Sequence, residues 1–435
     1  MIIPSIDIVK GRAVQLEGGE ALRIDAGDPF PIAEKFARVG EFAVVDIDAA
    51  RGEGDNRELV LALARNFPCR VGGGIRDYEA AANILDAGAR KIVIGTAAEP
   101  GLLSLLPRDR LVAALDAKNG EVLVEGWRRG SGSRVEERMR ELAPYVGSFL
   151  VTTIEREGKM GGIDLEAARS LVELLETLAG RPTLTVAGGV TSAAEVAELD
   201  RMGAEAQVGM ALYSGRLPLA EAFVAPLVSD REDGLWPVVV CDEDGVALGL
   251  VWSGPESVAR SIESGRGVYM SRKRGLWEKG ASSGNTQELV RIEVDCDRDS
   301  LRYVVRQNGS GFCHRGTRGC FGDDWGLAHL DRTIAARLVA SPPGSYTHRI
   351  ATEAGLLASK LREEAAELAE AEGPERSAEE AADLLYFALA KLHLEGSCLR
   401  DVERVLDRRA FRVTRRPGNA KAAFAEGSAK WPGIH

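Results

Sequence analysis

The chain has 435 residues, of which 45% are hydrophobic and 28% charged. That balance excludes a single small module and extensive disorder, and fits about three domains at ~150 residues each, or one barrel of ~220–250 residues with smaller companions. Acidic residues outnumber basic ones 66 to 55, a formal net charge of -11, which argues against general attraction to nucleic acid or anionic membrane and requires local sites for anionic ligands. No run approaches the ~20 apolar residues of a membrane helix, and the opening MIIPSIDIVKGR lacks the parts of a signal peptide, so a cytosolic protein is expected. The 6 cysteines are too sparse for a disulfide framework.

In chain order, short apolar runs at 2–8, 42–47, 70–72, 91–94, 111–115, 149–152, 183–186 and 206–208 alternate with helical patterns such as PIAEKFARVG, YEAAANILDAGA and AAEVAELDRMGA. Repeated βα units without a polar edge strand predict a parallel sheet covered by helices, and eight of them a closed (β/α)8 TIM barrel over 1–228, with functional side chains just after the strands. The halves look like two copies of one unit, because Asp7 and Asp116, Gly73 and Gly188, and Gly95 and Gly209 recur at offsets of 109 to 115 residues. Such a site suits a ligand with two similar ends. A charged, Gly- and Pro-bearing stretch, PLVSDREDGLWP, reads as a linker. Beyond it, 229–326 reads as a β-rich α+β domain, with two runs about a DEDG turn, further strands near RGVYMSR, LVRIEVDCD and LRYVVRQ, and a short helix near ESVARSIESG. Residues 327–413 read as an all-α bundle, including the long helical pattern HRIATEAGLLASKLREEAAELAEAEG. The tail, 414–435, is expected to lack fixed structure.

Three groups of residues carry chemistry. Asp7 and Asp116 each end an apolar strand run, so they should face each other across the barrel mouth, where one carboxyl can give a proton and the other take one. Gly-rich turns at Gly73-Gly74, Gly95-Thr96, Gly188-Gly189 and Gly209-Met210 leave backbone N–H groups at helix starts, which favours two phosphate sites. In the middle region Cys296, Cys313 and Cys320 can hold Zn2+ with a position left for water. Asp295, Asp297 and Asp299, read as alternate residues of one strand, present three oxygen ligands to Mg2+ on one face. In the helical region Glu364 and Glu367, then Glu380 and Asp383, share the i, i+3 spacing, so two facing helices would gather four carboxylates around Mg2+ bridging a pyrophosphate.

The strings IPSIDIVKGRAVQL, VVDIDAARGEGDN, VGGGIRD, IGTAA, ALDAKNG, TTIEREG and AGGV resemble the ribotide isomerase family of histidine biosynthesis. That family converts phosphoribosylformimino-aminoimidazole-carboxamide ribotide (ProFAR) to its phosphoribulosyl isomer (PRFAR), by an Amadori rearrangement without a cofactor. The resemblance implies Asp7 as base, Asp116 as acid, Thr152 as an orienting hydroxyl, Trp127 as a stacking lid and Arg76 beside the phosphate turns. Two positions depart from the family pattern: Glu157 replaces an aspartate and Ala43 a histidine.

YMSRKRGLWEKGASSGNTQ, IEVDCDRDSL and GFCHRGTRGCF resemble phosphoribosyl-AMP cyclohydrolase. There zinc-activated water opens the adenine ring, and the cysteines come from two subunits, which implies a homodimer. Arg272, Trp277, Lys279 and Ser283 fall in its substrate-binding motif, and Asn285 replaces its histidine. SPPGSYTHRI, GLLASKLREEAAELAEA and EEAADLLYFAL resemble phosphoribosyl-ATP pyrophosphohydrolase. This implies substrate contacts from Ser345, Tyr346, Thr347 and Lys360, with Phe387 where the family has histidine. Together the resemblances imply three consecutive steps on phosphoribosyl substrates. The alternatives are a barrel of altered substrate preference beside an active C-terminal pair, or a non-catalytic phosphosugar-binding barrel.

Overall fold

The computed structural model describes residues 1–414 and 418, apart from 125, 126, 128, 272, 274 and 323. Eight parallel strands form the body of a 12-stranded first sheet: β1 (Ile2–Val9), β2 (Phe42–Asp46), β3 (Cys69–Gly72), β4 (Lys91–Ile94), β5 (Leu111–Lys118), β6 (Ser148–Thr153), β7 (Thr183–Ala187) and β8 (Ala204–Val208). Pairing of β5 with β6 and of β8 with β1 closes it into the expected barrel. The helices between strands start where the sequence offers caps: Asp77 accepts from the N–H of Ala80, and Ser192 and Glu195 form a capping box.

The barrel interior is layered. Val112, Leu150 and Ala187, with Val93 and Ala114 against them, make a small apolar core inside the strands, separate from the large core between strands and helices. At the N-terminal end of the strands Arg70, almost fully buried, pairs with Glu41 at 2.5 Å and Glu205 at 3.0 Å and donates to Thr185. Ala43 stands in register beside Arg70. At the opposite end two hairpins extend β1 and β5, built from Arg12–Glu17 with Ala21–Gly27 and from Glu121–Val124 with Arg129–Arg134. The sequence pattern marks them weakly: Arg129–Arg134 is only arginine, glycine and serine and largely exposed, although Ala13, Val14 and Leu16 of the first hairpin are buried. Their equivalent placement extends the twofold repeat.

The second sheet has six strands, in spatial order Gly275–Glu278, Val268–Ser271, Ala247–Ser253, Trp236–Asp242, Leu301–Gln307 and Gln287–Val294. Only the pair of Trp236–Asp242 with Leu301–Gln307 is parallel. The stretch read as a linker is fixed in place: the N–H of Val228 donates to the Arg298 carbonyl, and the Trp236 indole donates to the Val228 carbonyl. Arg38 of the barrel donates to the Ile262 carbonyl at 2.7 Å, and one continuous apolar core runs through both regions.

Five helices follow: Leu327–Ala340, Tyr346–Thr352, Leu356–Glu370, Pro374–Leu394 and Leu399–Ala410. The long helical pattern expected from 348 onward is two helices, because the first ends at Thr352 with Glu353 extended and Gly355, left-handed at φ +81°, starts the second. Their own core is small, built on Ile334, Ile350, Leu357, Phe387, Leu389 and Ala390. Ion pairs Arg332–Asp244 and Arg400–Glu243 tie them to the sheet, and Val413 and Thr414 bond Asp86 of the barrel. Apart from Thr414 and Gly418, the expected tail lies outside the described residues. Among the described residues no helix is long and apolar enough to cross a membrane.

Candidate functional site

The barrel mouth holds a cavity of about 280 Å3 lined by Asp7, Asp116, Thr152, Trp127 and the glycine turns. Asp7 leaves β1 and Asp116 leaves β5, where Thr152 is its register partner on β6. Burial pushes Asp7 up to about 6 against the bond from the Ser5 hydroxyl at 3.1 Å. Burial also raises Asp116, opposed by hydrogen bonds from the Trp127 indole and the Thr152 hydroxyl. Glu157 joins them. Burial and the charges of Asp7 and Asp116 push it up to about 8, so at neutral pH Glu157 is mainly a carboxylic acid while Asp7, at about 6, is mainly a carboxylate. Asp7 as an ionised acceptor and Glu157 as a protonated donor give this mouth acid and base groups at the same pH.

Gly73, Gly74, Gly95, Thr96, Gly188, Gly189, Gly209 and Met210 all line the cavity, as does Arg76, which donates to the Ala49 carbonyl. The close approach is strict at the paired positions. A Cβ on Gly73 would lie 2.1 Å from the Asp46 carbonyl oxygen and one on Gly188 2.6 Å from that of Thr153, and both residues have positive φ. Trp127 packs on Gly19 at the tip of the first hairpin, where a Cβ would fall 2.4 Å from the ring. The hairpin tip is also held by Arg51, which donates to the Gly19 carbonyl, and by Glu157, whose carbonyl accepts from Gly18. Sequence reasoning placed neither Gln15 nor Gln207 here, yet both line the cavity, and Gln207 Oε1 is buried with no hydrogen-bond partner. The usable signal was the alternation on β8, which puts Gln207 two residues after inward-facing Glu205.

In the second sheet the structure corrects two expectations. Asp295, Asp297 and Asp299 do not alternate along a strand; they occupy the loop between Gln287–Val294 and Leu301–Gln307. Their oxygens still converge within 4.8 Å, because Arg298 turns the loop at φ +66° and Asp295 accepts from the N–H groups of Asp299 and Ser300. The loop therefore offers a hard-oxygen set that suits Mg2+. The three thiols, by contrast, do not converge in one chain. Cys313 and Cys320 hydrogen-bond to each other, and the Arg315 N–H and Thr317 hydroxyl lower Cys313, whereas Cys296 stands by the acidic loop, 4.0 Å from Asp297. Two soft donors fit half of a zinc set.

Lys279 is buried beside both thiols, over the Phe312 ring at 5.3 Å, and desolvation lowers it. Trp277 packs on Tyr269, and Ser283 accepts from the Asn285 N–H. Asn285 itself accepts from the N–H and hydroxyl of Ser310 and so holds the turn that leads to Cys313. Arg272 lies outside the described residues.

In the helical region Glu364, Glu367 and Glu380 converge within 4.8 Å; Asp383 is not part of that set. Glu364 and Glu380 are buried, with Lys360 2.7 Å from Glu364 and Arg376 2.6 Å from Glu380. Burial and a bond to Glu367 raise Glu380. Carboxylates crowded in this way suit a divalent cation. Ser345 caps the helix that carries Tyr346 and Thr347, and Thr347 reaches the Tyr386 hydroxyl. Phe387 lies edge-on to Tyr346 and 5.4 Å from the Lys360 ammonium, so this ring fixes two of the expected substrate contacts.

Comparison with known proteins gives three matches in order: the histidine biosynthesis protein family over residues 1–218, phosphoribosyl-AMP cyclohydrolase over 249–322 and phosphoribosyl-ATP pyrophosphohydrolase over 327–410. A 1-(5-phosphoribosyl)-5-((5-phosphoribosylamino)methylideneamino) imidazole-4-carboxamide isomerase of Myxococcus xanthus is 36% identical over 229 residues, 49% of this chain and 94% of that protein. A histidine biosynthesis bifunctional protein of Schizosaccharomyces pombe is 50% identical over 211 residues, 48% of this chain and 51% of its own length. A histidine biosynthesis trifunctional protein of Neurospora crassa is 49% identical over 213 residues, 49% of this chain and 24% of its own. The matches thus span between a quarter and a half of these fungal relatives.

Proposed function

The chain belongs to the histidine biosynthesis protein family, and from that premise we propose that it catalyses three successive reactions on one phosphoribosyl substrate. Residues 327–413 release pyrophosphate from phosphoribosyl-ATP, 229–326 open the adenine ring of phosphoribosyl-AMP, and 1–228 isomerise ProFAR to PRFAR. The observation that carries this reading is the order of the three matched segments, each bearing its own cluster of reactive groups.

In the barrel, the two glycine cradles take the phosphates at the ends of ProFAR. Ionised Asp7 takes the proton from the sugar carbon. Asp116, oriented by Trp127 and Thr152, gives a proton to the ring oxygen as the sugar opens. Protonated Glu157, which feels the charges of both aspartates, resupplies that proton. The Gln207 carbonyl is a free acceptor for a substrate donor.

In the middle region Cys313 and Cys320 contribute to a zinc site that Cys296 of a second copy completes, which makes the protein a homodimer. Zinc, when bound, supplies water activated near neutral pH for attack on the adenine ring. Lys279, Trp277, Ser283 and Arg272 hold the nucleotide, and the Asp295, Asp297 and Asp299 loop takes Mg2+. In the helical region Glu364, Glu367 and Glu380 hold Mg2+ for the pyrophosphate, with Asp383 outside that set. Lys360, Ser345, Tyr346 and Thr347 face the substrate.

The test feeds phosphoribosyl-ATP to the purified chain with Mg2+ and Zn2+ and follows the products. PRFAR is the expected end point; accumulation of ProFAR in the unaltered chain would overturn the isomerase assignment.

A further inference from the structure

Arg298 lies in sequence between Asp297 and Asp299, the one basic residue of an acidic loop, yet its guanidinium leaves that loop altogether. Its backbone is left-handed at φ +66°, a conformation that residues with a side chain rarely adopt. The side chain extends to the barrel, where Nε and Nη2 both bond the carboxylate of Asp200, Nη2 to Oδ1 at 2.8 Å. Asp200 closes the barrel helix Ala193–Arg201, and its side chain is only 8% exposed. It also accepts from the amino group of Met1. The Arg298 carbonyl accepts from Val228, so the turn is held on both sides of the guanidinium.

The consequence lies in the cluster left behind. Asp295, Asp297 and Asp299 bring their oxygens within 4.8 Å of one another, and among the described residues none of them has a basic partner. Asp230 adds a further negative charge near Asp299. A flexible guanidinium between the second and third carboxylates is the natural intramolecular neutraliser of such a cluster, and forms the bidentate geometry carboxylates favour. We propose that Asp200 sequesters Arg298: by holding the guanidinium on the barrel, it keeps the Asp295, Asp297 and Asp299 cluster open to a divalent cation. This inference rests on the proposed reading of that loop as a Mg2+ site. It makes the barrel a positioning element for the neighbouring region's metal chemistry, and Asp200 a residue that acts without touching metal or substrate.

The experiment titrates the full chain with Mn2+ alone and reads free Mn2+ by electron paramagnetic resonance. It is done in a Glu364→Gln, Glu380→Gln background that removes the helical cluster. Asp200→Asn should weaken Mn2+ binding about five- to tenfold, because the released guanidinium then competes for the carboxylates. Arg298→Met should leave affinity at or above the background level, and the double variant Asp200→Asn, Arg298→Met should return it there. Equal weakening by both single substitutions, with no recovery in the double, would show a mere anchor for the loop and overturn the proposal. So would unchanged binding in Asp200→Asn. Absence of Mn2+ binding in the background chain itself would remove the metal site, and the inference with it; binding there with no response to Asp200 removes the inference alone.

Discussion

The barrel mouth and the thiol-bearing sheet hold their reactive groups by opposite means. In the barrel, β1 and β5 lie on facing sides of a closed sheet, so Asp7 and Asp116 share one cavity with Glu157 although 109 residues separate the first two. In the second region Cys296 lies on one loop of the six-stranded sheet and Cys313 and Cys320 on another, and among the described residues the three thiols do not converge. A sheet that closes completes its own site. On the proposed reading, the separated thiols of the second region meet only across two copies.

The largest effects test that difference. Cys313→Ser and Cys296→Ser should each reduce ring opening and bound zinc to background. Random mixing of the two variants should recover about a quarter of the activity, since about half of the dimers are heterodimers and one of the two sites in each is whole. No recovery on co-expression would mean that all three thiols serve one chain. The barrel should behave in the other manner. Asp7→Asn should slow isomerisation about 10²–10⁴-fold in any mixture, with ProFAR accumulating and ring opening unchanged, as product chromatography would show.

A smaller effect sharpens the comparison within the barrel. Raised acids make the sign plain: Asp7 must be ionised to accept a proton, so kcat/KM should fall as pH drops through about 6, and Glu157 must be protonated to donate one, so it should fall again as pH rises through about 8. Glu157→Gln, which is neutral like the acid but has no proton to give, should lower the plateau, abolish the alkaline limb and keep the acid one; a pH profile of isomerisation checks this. Retention of both limbs would assign the upper one elsewhere. The smallest effect belongs to the helical region. Phe387→Leu removes the ring 5.4 Å from Lys360, and should weaken phosphoribosyl-ATP use about two- to fivefold, chiefly in KM. An unchanged KM would leave that ring only a role in the core.

The barrel strands were legible because each is an apolar run followed by a helical period, and burial on both faces enforces that pattern. Asp7, Asp116 and the glycine turns were legible for the same reason: they sit where strands end. The carboxylates of Glu364, Glu367 and Glu380 were legible because i, i+3 spacing holds within any helix, and Asp383 dropped out because convergence across two helices depends on their crossing. The hairpins after β1 and β5 are short and mixed in character, and the break before Gly355 falls inside an otherwise helical pattern, so neither stood out.

The amino-acid order alone thus determined the three-part architecture and the residue types at each cluster, since local periodicity and turn chemistry act over a few residues. Only the tertiary structure decided that Glu157 joins Asp7 and Asp116, that Asn285 braces the turn before Cys313, that Cys296 stands apart from the other thiols, and that Arg298 turns away to Asp200. Each is a meeting of side chains from distant segments. Burial and charge at such meetings depend on how sheets close and how regions pack, and no local pattern encodes them.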